Sequence, residues 1–278
     1  MDAVKPADLA TAMVDAAEKK LTLSPQQLLI RGAMSGALLG TATSFAFTGV
    51  ISSGGQSLIG ALIFPTGLVI TVLLGLELIT GSFGLVPLSL MERKTSASSI
   101  ATNWMWVFVG NLIGSIGYGI LFAIALTNFG NTDSGALGAM VVATAEKKTI
   151  AYSAMGASGW IAAFVKAILC NWLVCLGIVM AMTSTSTIGK IVAVWMPISI
   201  FFAQGFEHSV VNMFVIPAGM MLGANVSVSD WWLWNQIPVT LGNLVGGFVF
   251  TGLAISVAYR PDGGLKARVP RGRTVAAK

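Results

Sequence analysis

The sequence predicts an all-α membrane protein of six transmembrane helices, arranged as an inverted 3+3 repeat with the second and fifth helices broken. Three observations lead there. The 278 residues are 55% hydrophobic and 10% charged, with a mean hydropathy of +0.82, far more apolar than an ordinary soluble domain. Six apolar runs, at 26–52, 58–90, 100–128, 158–183, 188–221 and 235–259, each reach the ~20 residues a helix needs to cross a bilayer. The second half also repeats the wording of the first at a nearly constant offset.

That repeat is specific. Asn103-Trp104 leads to Gly110-Asn111-Leu112-Ile113-Gly114-Ser115, and Asn235-Gln236 leads to Gly242-Asn243-Leu244-Val245-Gly246-Gly247, 132 positions later. Phe64-Pro65 and Met196-Pro197 are again 132 apart, while Gly75-Leu76-Glu77 and Gly205-Phe206-Glu207 are 130 apart. Three spans per half insert the halves in opposite senses, the arrangement in which discontinuous helices meet near the midplane. The channel domain, 26–259, thus divides into repeats 26–128 and 158–259.

Residues 1–25 have no apolar core of a signal peptide. Ala7, Leu9, Ala10, Met13, Val14, Ala17 and Leu21 leave an apolar stripe, which predicts a cytoplasmic amphipathic helix at the membrane surface or against a neighbouring subunit. The net charge of +5 is not a nucleic-acid signature, because the charges sort by side. With six spans, Lys5, Lys19, Lys20, Arg31, Arg93, Lys94, Lys190 and the bases from Arg260 onward fall on one side, against Lys147 and Lys148 on the other. The bias places both termini in the cytoplasm of a multi-pass inner (plasma) membrane protein. The basic segment 260–278 reads as a disordered cytoplasmic tail touching anionic lipid. Cys170 and Cys175 point roughly 140° apart on one helix and do not bridge. A lone histidine makes no metal set, so neither cofactor nor enzyme chemistry is expected.

The two breaks carry the chemistry. An ionised side chain at the centre of a membrane helix costs roughly 2.5–3.5 kcal/mol, so Glu77, Glu207 and His208 need partners or a wet cavity. Gly75 and Gly205 permit the backbone to turn, and the helix N-termini exposed there favour an anion. A channel or transporter for something small and negative follows. Glu77 and Glu207 are read as structural, capping the backbone N–H groups of their own breaks. Lys166, Asn171 and Val174 run along the fourth span, Asn171 and Val174 sharing one face; His208 and Asn212 are four apart on the fifth, with Phe201 two turns earlier on that stripe. Glycines such as Gly32, Gly36, Gly40, Gly110, Gly114 and Gly246 suit close helix packing in lipid.

Two other classes compete with this reading. An intramembrane serine protease would pair Ser158 of Gly156-Ala157-Ser158-Gly159 with His208, but that leaves the repeat unexplained. A water or glycerol pore of the aquaporin type would show Asn-Pro-Ala at both breaks, and there is none. A proton-coupled symporter differs from a channel in kinetics that no motif reports.

Cys170-Asn171-Trp172-Leu173-Val174-Cys175, Gly205-Phe206-Glu207-His208-Ser209 with Asn212-Met213-Phe214-Val215-Ile216-Pro217, and Ile237-Pro238-Val239-Thr240-Leu241-Gly242-Asn243 resemble the formate/nitrite transporter family across residues 5–259. The resemblance implies an aquaporin-like protomer in a homopentamer with one pore each, passing formate, nitrite or another weak-acid anion such as hydrosulfide, bicarbonate or lactate, with protons and pH gating. It makes His208 the central histidine and proton relay, Thr80 the threonine of the loop in the second helix, and Phe64, Leu68, Leu78, Phe201 and Val174 apolar constrictions. Asn171 and Asn212 become polar pore residues. Two positions depart from the family pattern: Met155 stands where a lysine is common, leaving Lys147, Lys148 or Lys166 to attract the anion, and Ile79 stands where an aromatic is usual. Thr80 and His208 are expected to touch although 128 positions apart, and Trp104, Trp106, Trp231, Trp232 and Trp234 to serve subunit contacts and the membrane interface.

Overall fold

The computed structural model describes residues 3–259, and the basic tail from Arg260 lies outside the described residues. The described chain is helical, with no strand beyond an isolated bridge between Ala3 and Ser184.

A short α1 (Pro6–Leu21) precedes α2 (Pro25–Ser52), which starts where Ser24 forms a reciprocal capping box with Gln27 and Pro25 takes the first turn. The second apolar run is cut into α3 (Ser57–Ile63), α4 (Thr66–Leu73) and α5 (Ile79–Met91). Capped by Ser96, α6 (Ala97–Thr127) ends on Asn128 in the left-handed region. Two helices, α7 (Gly135–Lys148) and α8 (Ile150–Ala154), then lead into α9 (Ala157–Met182). The fifth run is cut into α10 (Thr187–Ala203) and α11 (Ser209–Met221). The last helical stretch begins at Val228 rather than near 235, because Ser227 and Asp230 form a capping box there; it contains α12 (Val228–Trp231), α13 (Ile237–Gly247) and α14 (Ala254–Ala258), joined by wider π turns at Trp232–Gln236 and Phe248–Leu253.

Among the described residues, four stretches suffice by length and composition to cross a membrane: Pro25–Ser52, Ala97–Thr127, Ala157–Met182 and Val228–Ala258. Shorter apolar helices occupy the second and fifth runs. The long helices pack in pairs, α2 along α6 and α9 along α13. Gly114 and Gly246 permit this: a Cβ on either would run into a backbone carbonyl of the facing helix, that of Ala33 or Ile168 respectively.

Two expectations are corrected. The apolar stripe of α1 is spent on the chain itself: Leu9, Met13, Val14 and Ala17 are buried against Leu85 and Leu88 of α5 and Val179 of α9. Burial within the protomer removes that stripe from a membrane surface or neighbouring subunit. Trp231 is also buried, packed with Ile216 and Val226, and its indole N–H donates to Gln236 Oε1 at 3.1 Å. A tryptophan so enclosed is core rather than interfacial anchor.

Candidate functional site

Both broken runs stop by the same device. Leu76 N–H bonds the Thr71 carbonyl and Gly75 N–H that of Val72; Phe206 N–H bonds the Phe201 carbonyl and Gly205 N–H that of Phe202. This closure needs a left-handed residue, supplied by Gly75 at φ +62 and Gly205 at φ +63. The chain then extends, with Leu78 at φ −123, ψ 125 and His208 at φ −115, ψ 119, before α5 and α11 begin. Leu78 and His208 are equivalent, 130 positions apart.

Buried asparagines hold the extended links. Asn111 of α6 accepts from Ile79 N–H at 2.9 Å and donates to the Glu77 carbonyl at 3.0 Å. Asn243 of α13 accepts from Ser209 N–H at 2.8 Å and donates to the Glu207 carbonyl at 3.0 Å. The capping assigned to Glu77 and Glu207 therefore belongs to Asn111 and Asn243. The glutamate side chains turn away into ion pairs: Lys20 Nζ meets Glu77 Oε2 at 2.7 Å, and Lys148 Nζ meets Glu207 Oε2 at 2.7 Å. A carboxylate of this burial (side-chain exposure 4% and 3%) left without its cation would be an uncompensated buried charge, at a cost of about 3–5 kcal/mol. Glu207 also accepts from Tyr152 Oη at 2.9 Å and from Asn212 Nδ2 at 2.8 Å.

At the end of the second link stands His208, 2% exposed. Its Nδ1 accepts the Val211 backbone N–H at 3.3 Å, capping α11. A neutral ring in that geometry carries its proton on Nε2, which donates to Thr80 Oγ1 at 3.2 Å. A second proton, on Nδ1, would displace the Val211 N–H. Thr80 and His208 thus meet, and the hydroxyl proton of Thr80 stays free for another acceptor. The Phe201 ring stacks on His208, centroids 5.8 Å apart at 20°. Because α10 ends at Ala203, the shared helical stripe expected of Phe201 and His208 does not exist, and the fold brings the rings together across the break. Phe64 meets Phe201 edge-on at 5.6 Å and stacks with Phe202 at 4.4 Å. Leu68, Leu78 and Val174 belong to the same buried cluster.

Asn171 ties the breaks together, its Nδ2 donating to the carbonyls of Thr80 at 3.0 Å and Asn243 at 2.6 Å. Asn212 donates to Glu207 and to Asn235 Oδ1, at 2.8 Å each. These donations fix both amide orientations. They leave Asn171 Oδ1 and Asn212 Oδ1 buried without a partner among the described residues. Of the candidate anion-attracting lysines, Lys147 is exposed, Lys148 is committed to Glu207, and Lys166 Nζ donates to Tyr152 Oη at 3.2 Å. Ser158 is exposed and donates to the Met155 carbonyl at 2.8 Å, so no Ser-His dyad forms.

Sequence reasoning missed Asn111, Asn243, Tyr152, Asn235 and Lys20 as site residues. The asparagines had a signal, a polar residue at equivalent positions of both halves; Tyr152 and Lys20 had none, being 55 and 57 positions from their glutamates.

Apolar helices interrupted where capped links meet define an integral membrane protein of the transport class. Residues 7–257 match the Formate/nitrite transporter family, and the chain belongs to it. It is 37% identical over 259 residues to a probable formate transporter of Methanothermobacter thermautotrophicus, covering 88% of this chain and 93% of that one. A formate channel of Bacillus thuringiensis is 33% identical over 261 residues, 92% and 96% covered. Among solved structures, an FNT family ion channel aligns with a TM-score of 0.76 at 26% identity, over 90% of this chain and 98% of that one. A pentameric formate channel with formate bound aligns at 0.67 and 28% identity, over 88% and 98%.

Proposed function

We propose that the protein is a homopentameric channel for small monovalent anions, formate foremost and nitrite second, in which His208 exchanges protons with the permeating acid and sets a pH-dependent conductance. The contact between Thr80 and His208 carries the reading, since it joins the only histidine to the opposite break inside an apolar enclosure. An anion passing Phe64 and Phe201 loses its hydration. A proton donor at that point lowers the cost by pairing with it. Leu68, Leu78 and Val174 narrow the path in this reading, and Asn171 and Asn212 offer amide oxygens to a proton-bearing species. Six spans in inverted halves, with both termini cytoplasmic in the inner (plasma) membrane, complete the arrangement; the matching hydrogen bonds at the two breaks support it. Lipids surround the pentamer, and protons travel with the anion.

The test is flux of a panel of weak-acid anions (formate, nitrite, hydrosulfide, bicarbonate, lactate) into proteoliposomes across a pH series. Formate and nitrite are expected to pass fastest. His208→Asn keeps a polar side chain and is expected to retain some conductance while losing the pH dependence. Assembled His208→Asn protein with the wild-type rate and pH profile would refute the proton-exchange role.

A further inference from the structure

Ser209, the first residue of α11, is held at two points. Its backbone N–H donates to Asn243 Oδ1, and its hydroxyl enters a closed triangle. Gln236 Nε2 donates to Ser209 Oγ at 2.7 Å and to Thr240 Oγ1 at 3.2 Å, while the two hydroxyls share a hydrogen bond of 2.9 Å. The Trp231 indole N–H occupies Gln236 Oε1 at 3.1 Å, which fixes the amide so that its N–H groups face the hydroxyls. Ser209, Gln236 and Trp231 are buried, and a buried polar set whose members are all paired is rigid, because breaking one bond strands a group.

The first break is built without this brace. Shifted by the repeat offsets, Ser209, Gln236 and Thr240 fall on Ile79, Trp104 and Phe108, and His208 falls on Leu78. Ile79 keeps the backbone bond to Asn111, but its side chain offers nothing to hold. A π turn supplies the difference. Asn103 and Asn235 are equivalent, each donating to the carbonyl of the lysine at its break, Lys20 at 3.1 Å and Lys148 at 2.9 Å. Asn103 lies seven positions after the Ser96 cap, whereas Asn235 lies eight after the Ser227 cap. The extra residue is taken up in the wider turn Trp232–Gln236, where Ile237 N–H reaches the Trp232 carbonyl. Residues five apart on an α-helix point roughly 140° from each other; the π turn turns Gln236 back onto Trp231. Such turns gather at functional sites.

Val211, whose N–H occupies His208 Nδ1 at 3.3 Å, stands two residues beyond Ser209 in the same turn. Holding Ser209 by both its N–H and its hydroxyl fixes where the Val211 N–H points. With Nδ1 so occupied, the proton of the neutral ring stays on Nε2, toward Thr80. We propose that Gln236 is a positioning residue for His208: through Ser209 and Thr240 it aims the first turn of α11, so that the ring presents a single tautomer to Thr80 and to the permeating acid. The inference rests on the proton-exchange reading above and extends that site to a side chain that acts on the ring through two others.

His208 is the only histidine, so labelling histidine at its ring nitrogens gives the solid-state NMR spectrum of one ring. Full-length wild type, Gln236→Met and Ser209→Ala are compared in proteoliposomes by that spectrum at neutral pH and by formate flux. Gln236→Met keeps an unbranched side chain and removes the amide; Ser209→Ala is the smaller lesion and keeps the amide. Wild type is expected to show one neutral tautomer, protonated at Nε2. Both variants are expected to show the second tautomer as well, with maximal flux about tenfold lower at unchanged half-saturation, a part of the roughly hundredfold that a ~1 Å misplacement costs a reacting group. Mixed tautomers in wild type overturn the inference, as does a single Nε2 tautomer kept in both variants. A changed ring spectrum beside wild-type flux, or a defect confined to half-saturation, overturns it too. Wild-type protein that shows the single tautomer but passes no weak-acid anion overturns the parent reading instead.

Discussion

Replacing Asn243 by Leu keeps the branching of its side chain and deletes its hydrogen bonds. Two buried backbone groups then lose their partner, the Ser209 N–H at 2.8 Å and the Glu207 carbonyl at 3.0 Å. Each such group costs about 1–3 kcal/mol when buried and unsatisfied, so Asn243→Leu is expected to cost about 2–6 kcal/mol, a large part of a net stability of order 5–15. The equivalent change at Asn111 is milder. It strands the Ile79 N–H, but the Glu77 carbonyl keeps the Ser35 hydroxyl at 2.5 Å, leaving one orphan and a cost of about 1–3 kcal/mol. Thermal unfolding of the detergent-solubilised assembly, followed by tryptophan fluorescence, measures the difference. Asn243→Leu should melt below Asn111→Leu, with both below wild type, and should lose flux because the link carrying His208 is unmoored. Equal midpoints for the two variants would refute the assignment of the asparagines as unequal clamps.

Two further outcomes follow from the same geometry. Thr80→Val is nearly isosteric and removes the partner of His208 Nε2; flux should fall and its pH profile should shift, and an unchanged profile in proteoliposomes would sever the link between the two breaks. Phe64→Ala removes a ring packed on both Phe201 and Phe202, at about 3–5 kcal/mol of stability; it should also admit larger acids, so a lactate-to-formate flux ratio no higher than wild type would count against Phe64 as a constriction.

Much of this protein was legible in its chain. Apolar runs, the offset repeat and the two Gly-x-Glu interruptions located the long helices and both breaks, though not α7 and α8, because hydrophobic length and glycine backbone freedom are properties of contiguous residues. Gly75 and Gly205 turn where they were expected to, and Thr80 and His208 meet. Pairing across the fold was less legible. Nothing local tells Glu207 to choose Lys148 and Tyr152 over its own backbone, or the α1 stripe to pack on Leu85 and Leu88 rather than on lipid. Those choices compare the energies of groups 55 or more positions apart, and chain order carries no record of them. The sequence by itself determined which stretches had to leave water and where the second and fifth had to break; only the tertiary structure decided which buried polar group satisfied which, because a hydrogen bond depends on an ångström-scale separation that exists only once the helices have packed.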